Sequence, residues 1–125
     1  MRTVFVYGTL LRGCHNHGYF LGGAEFLGDA DLVDYALYNL GSYPGIIPAG
    51  GEAVVGELYQ VDDKTLARLD RLEGNGWLYT RKKVVARLGE ENLNAEVYIW
   101  NGEVNPRDKI ELASQPWNDA KIMGR

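Results

Sequence analysis

The chain has 125 residues, which suits a single domain spanning 1–125. With 46% hydrophobic and 24% charged residues the composition is that of an ordinary globular protein, and a net charge of −4 argues against a nucleic-acid backbone as partner. No stretch reaches the roughly 18 apolar residues of a membrane span, and the one cysteine, Cys14, excludes an internal disulfide, so a cytoplasmic location is expected.

The first eight residues run straight into a strand pattern, without the apolar stretch and cleavage site of a signal peptide. Residues 3–7 are β-branched and aromatic and predict a buried strand that stops at Gly8. Residues 8–23 are rich in glycine and polar groups and read as a loop with a short helical turn. A second strand is expected over 32–38, turns over 41–45 and 49–51, and a short extended piece over 46–48. Residues 54–61 read as a strand in which Gly56 marks a bend or a close approach. A helix follows, capped by Asp62 or Asp63 and stopped by Gly74. Strands over 79–88 and 95–100 flank a hairpin loop at 90–92. Residues 105–125 are polar and read as peripheral. Several strands with one clear helix give no βαβ alternation. The fold class expected is α+β, a small mixed β-barrel with few flanking helices.

Glu73 stands out. Leu66, Leu69 and Glu73 fall at i, i+3 and i+7, on one helix face. A helix C-terminus carries partial negative charge and favours Lys or Arg there. An acid placed against Leu side chains and that dipole holds its proton more readily than a free Glu, which suits a general base or acid. Read as a segment alone, the residue is better taken as a frayed helix end in water.

Tyr7-Gly8-Thr9-Leu10 lies where the first strand runs out. Successive N–H groups in such a bend form an anion-binding concavity, although a plain turn has the same spacing. The loop lacks the Gly-Lys-Ser/Thr ending of a nucleotide P-loop. Cys14-His15-Asn16-His17 offers three potential metal ligands with no second cluster, fewer than the four of structural zinc, and reads as loop structure. Tyr43-Pro44-Gly45-Ile46-Ile47 is either a pocket lining or a turn packed on the core. Trp100 reads as core, and Arg81-Lys82-Lys83 as the solvated side of a strand.

Phe5-Val6-Tyr7-Gly8-Thr9-Leu10, followed by Arg12-Gly13, resembles the opening of the gamma-glutamylcyclotransferase-like family. Residues 4–13 with Asn16-His17 most resemble its gamma-glutamylaminecyclotransferase branch. The likeness continues through Tyr43-Pro44, Gly56-Glu57-Leu58-Tyr59, Leu69-Asp70 with Glu73, Tyr79 and Arg81, and ends with the strand of Tyr98. It implies a small mixed barrel and a cytoplasmic enzyme with no cofactor and no metal. Its substrate would be a small-molecule γ-glutamyl amide, cleaved to 5-oxoproline and a free amine by attack of the substrate's own α-amine. Glu73 would be the catalytic acid/base, and Tyr7, Gly8, Thr9, Leu10 and Tyr98 would bind substrate. Residues 74–78 and the tail after Trp100 differ from that branch and leave the released amine open. Oligomeric state, pathway and any contact of Tyr43, Tyr79 or Arg81 with substrate also stay open. The competing expectations are a non-catalytic module that binds a γ-glutamyl metabolite, and an acyl transfer in which water or an external amine attacks.

Overall fold

The structure, a computed structural model, describes residues 1–119. Strand β1 (Arg2–Val6) leads through a loop into helix α1 (His17–Leu21). Two long strands follow, β2 (Glu25–Asn39) and β3 (Pro44–Val61), then helix α2 (Asp63–Glu73), β4 (Tyr79–Leu88) and β5 (Glu91–Trp100). A two-residue strand, β6 (Lys109–Ile110), lies between two 3₁₀ turns. The α+β expectation holds: the six strands form one mixed sheet in the order β3-β1-β5-β4-β2-β6. Strand β2 also pairs with β3, so the sheet curls back on itself. The β1–β5 pairing is parallel, and the other five are antiparallel.

Alternation along β1 builds the core. Val4 and Val6 face a cluster with Leu66 and Leu69 of α2, while Phe5 faces a second cluster inside the curl with Leu58 and Val97. Gly56 makes the curl possible. A β-carbon there would lie 2.2 Å from the Val6 carbonyl oxygen, so only glycine lets β3 cross β1 this closely.

Three sequence expectations are corrected. The pieces at 32–38, 46–48 and 54–61 belong to one continuous β2–β3 hairpin, and the turn at 49–51 is a bend within β3. The ladder pairs Tyr35 with Pro48 and Val33 with Ala53, so residues 49–52 bulge out between the two pairings. Gly51 takes a positive φ and donates its N–H to Asp34 Oδ1 at 3.0 Å, opposite a bulge between Val33 and Tyr35. The second hairpin turns at Gly89-Glu90, so β5 starts at Glu91 and absorbs the loop expected at 90–92.

The tail, finally, is not peripheral over its described part; residues 120–125 of that reading lie outside the described residues. Trp117 is only 3% exposed, in the same cluster as Leu10 and Leu11. Gln115 accepts the Val55 N–H at 2.8 Å and donates to the Ala53 and Ile110 carbonyls. One tryptophan in a polar run carries no periodic signal, yet its burial, together with the Gln115 hydrogen bonds, docks the segment.

Candidate active site

The site begins where β1 ends. A turn from Gly8 to Leu11 is closed by the Leu11 N–H donating to the Gly8 carbonyl at 3.0 Å. The central N–H groups of such a turn, those of Thr9 and Leu10, have no backbone acceptor among the described residues. Gly8 is required by packing. A β-carbon would lie 2.7 Å from Pro44 Cγ and 2.8 Å from Pro44 Cδ. The loop beyond is pinned at two points. Asn16 donates its side-chain amide to Thr9 Oγ1 at 2.9 Å and its backbone N–H to the Thr9 carbonyl at 3.0 Å. The buried Glu57 accepts from both the Arg12 backbone N–H and Nε, at 3.1 and 3.0 Å, and from the Tyr59 hydroxyl at 2.9 Å.

Helix α2 brings in the acid. Asp62 caps its start by accepting the Thr65 N–H at 2.7 Å, and Gly74 ends it in the left-handed conformation with φ 60°. Leu66 and Leu69 are buried beneath the helix, and the same face carries Glu73, half-buried, to the wall of a cavity of about 190 Å³. Residues 7–10, His15, Asn16, Ser42, Tyr43, Pro44, Tyr79 and Tyr98 line the same cavity. The Glu73 carboxyl makes no hydrogen bond or ion pair among the described residues, and burial pushes its pKa up to about 7.

Three buried phenols surround this carboxyl, each with its proton held elsewhere. Tyr7 donates to the Tyr98 carbonyl, Tyr79 to the Pro44 carbonyl and Tyr98 to Asp70 Oδ1, all at 2.7 Å. Burial raises all three pKa values, so they stay neutral hydrogen-bond donors at neutral pH. Beneath them Arg81 joins two carboxylates. Its Nε lies 2.9 Å from Asp70 Oδ1, out of line for a hydrogen bond, its Nη2 donates to Asp70 Oδ2, and its Nη1 donates to Glu96, which also pairs with Arg2. Among the described residues no three His, Cys, Asp or Glu side chains gather to hold a metal ion.

A half-buried carboxyl thus shares a cavity with a turn whose central N–H groups have no backbone acceptor among the described residues, and comparison with known proteins gives the chain a family. The family model described as "Gamma-glutamyl cyclotransferase, AIG2-like" matches residues 4–119. The chain belongs to that family. A gamma-glutamylcyclotransferase family protein, YtfP of Escherichia coli, is 37% identical over 116 residues, covering 93% of this chain and 96% of that one. The gamma-glutamylaminecyclotransferase of Rattus norvegicus is 34% identical over 120 residues, covering 89% of this chain and 74% of that one. Among solved structures, an AIG2-like protein from Mus musculus superposes with a TM-score of 0.75 at 27% identity, covering 95% of this chain and 86% of that one. The protein is a cyclotransferase-like enzyme.

In this family member the six residues expected at the site, Tyr7, Gly8, Thr9, Leu10, Glu73 and Tyr98, line one cavity. Tyr43 and Tyr79, left open by the sequence, line it too. Arg81 does not line it, and the reading of Arg81 as a solvated residue is corrected, because it pairs with Asp70 and Glu96. Lys82 and Lys83 are exposed, as expected. Trp100 is only half-buried; it packs edge-on to Tyr79, with centroids 5.2 Å apart. In the Cys14-to-His17 loop, burial raises the Cys14 thiol pKa, while His15 and Asn16 reach the cavity. Sequence reasoning missed that placement, the cavity-lining position of Ser42 and the hydrogen bond that Asp70 accepts from Tyr98. Only Asp70 had a usable signal, standing one helical turn before Glu73.

Proposed function

We propose that this enzyme cleaves a γ-glutamyl amide by attack of the substrate's α-amine on its own γ-carbonyl, giving 5-oxoproline and a free amine. Glu73 is the general base. The α-amine is mostly protonated at neutral pH, and a carboxylate with a pKa of about 7 accepts that proton as readily as it later releases it. The neutral nitrogen then bonds to the γ-carbon, and a five-membered ring closes. The carbonyl oxygen becomes an oxyanion, met by the Thr9 and Leu10 N–H groups. One such donor contributes roughly 3–4 kcal/mol. Collapse breaks the amide C–N bond, and Glu73 hands the proton to the departing amine. Substrate equals the sum of the products, so no water is consumed.

The observation that carries this reading is the unpaired Glu73 carboxyl on the wall of the cavity formed by the Gly8–Leu11 turn. Tyr7, Tyr79 and Tyr98 supply rings that hold the glutamyl chain in a ring-closing shape, and effective molarities for such preorganised attack reach about 10⁵–10⁸ M. The reading takes residues 1–125 as one working unit with no bound cofactor, and the cytoplasm as its setting, which suits the single thiol of Cys14.

The test is incubation with a panel of γ-glutamyl amines, with products followed by mass spectrometry. 5-Oxoproline plus amine supports the proposal. Free glutamate would mean that water attacks, and ligand retention without product would mean a binding module.

A further inference from the structure

Two side chains separated by 104 positions in sequence form a pair at the mouth of the cavity. Asp119 Oδ2 lies 2.7 Å from His15 Nδ1 and also accepts the His15 backbone N–H at 2.7 Å. Asp119 Oδ1 accepts the Trp117 indole N–H at 2.9 Å, and Trp117 is anchored in the core. The carboxylate is thus held from both sides. Because it only accepts, it fixes His15 as an Nδ1–H donor, leaving Nε2 as the free ring nitrogen. The neighbouring His17 differs: its Nδ1 meets the Leu10 carbonyl at 2.9 Å and its ring packs on Tyr59.

Charge gives the pair a use. Among the described residues no Lys or Arg lines the cavity, Glu73 is its one carboxylate and His15 its one side chain able to carry positive charge. A γ-glutamyl amide brings in an α-ammonium and an α-carboxylate. In the proposed reaction the ammonium is matched by Glu73 and the turn N–H groups serve the γ-carbonyl oxygen. The carboxylate needs a partner of its own, since an unpaired charge in a half-enclosed site is costly. An imidazolium donates through both ring nitrogens, so a ring already bonded to Asp119 through Nδ1 takes a second carboxylate at Nε2 when it binds with a proton there.

We infer that His15, held in place by Asp119, receives the α-carboxylate of the substrate. The inference rests on the cyclotransferase reading and adds a recognition residue to it. His15 touches the substrate; Asp119 is a positioning residue that acts through it. The side chain of His15 is 58% exposed, so it meets the carboxylate at the cavity rim, where solvent weakens the interaction.

The experiment compares wild type, His15→Ala and Asp119→Asn on two substrates carrying the same amine. One is the γ-glutamyl amide. The other is the 4-aminobutyryl amide, which lacks the α-carboxylate and cyclises to 2-pyrrolidinone. With the γ-glutamyl amide, His15→Ala raises KM about tenfold and changes kcat less than about threefold, and Asp119→Asn raises KM by less than His15→Ala does. With the 4-aminobutyryl amide, wild type already shows the raised KM and neither variant raises it further. An unchanged KM in His15→Ala, or an equal loss on both substrates, overturns the inference while the cyclotransferase reading stands. Absence of 5-oxoproline from the wild-type enzyme overturns both.

Discussion

Tyr98 donates its phenolic hydrogen to Asp70 Oδ1 at 2.7 Å, and so ties the wall of the cavity to helix α2 one turn before Glu73. Arg81 balances the Asp70 charge from the opposite side. Arg81→Met removes the cation and leaves Asp70 with the phenol alone. Breaking a buried pair costs about 3–5 kcal/mol, and partial exposure here lowers the expectation to on the order of 2 kcal/mol. Urea denaturation measures it; an unchanged midpoint would show that the pair does not support the helix.

The Gly8–Pro44 contact sets the position of the turn. Gly8→Ala places a β-carbon 2.7 Å from Pro44 Cγ, so the turn must move by several tenths of an ångström or more. Misplacement of this kind costs about 100-fold when donors must meet a reacting oxygen. The expected result is a loss of about that size in kcat/KM, measured by steady-state kinetics, in a protein that still unfolds cooperatively.

The raised Glu73 pKa has two pH consequences of definite sign. A base works when ionised, so kcat/KM rises with pH through about 7. For stability the folded value lies above the unfolded one, so the contribution is fully present below about pH 4.5 and is lost as pH rises through about 7. That loss is at most roughly 3–4 kcal/mol, and smaller because the carboxyl is only half-buried. Glu73→Gln removes the ionisation, so its melting temperature equals or exceeds that of the wild type at pH 8, and the gap narrows at pH 4. Differential scanning calorimetry at both pH values checks the sign.

Trp117 ties the tail to the core beside Leu10 and Leu11. Trp117→Ala is expected to cost about 3–5 kcal/mol, read by urea unfolding. It also frees Asp119 from the indole N–H, so KM for the γ-glutamyl amide rises as well.

Much of this was legible in the chain. Helix α2 carries its own start and stop signals in Asp62 and Gly74, so its face, and with it Glu73, could be placed from spacing. β1 and its abrupt end at Gly8 were equally plain. The continuous β2–β3 hairpin was not. Gly50-Gly51 is turn chemistry in isolation, and only the pairing of β2 on either side of it, at Pro48 and at Ala53, makes it a bulge within one strand. The Asp119–His15 pair and the burial of Trp117 depend on contacts across about a hundred residues, for which no local pattern exists.

The most direct test of the central claim is release of 5-oxoproline from γ-glutamyl amines by wild type and by purified, folded Glu73→Gln. The account expects turnover by the wild type and none by the variant. A Glu73→Gln protein that forms 5-oxoproline at the wild-type rate would contradict it.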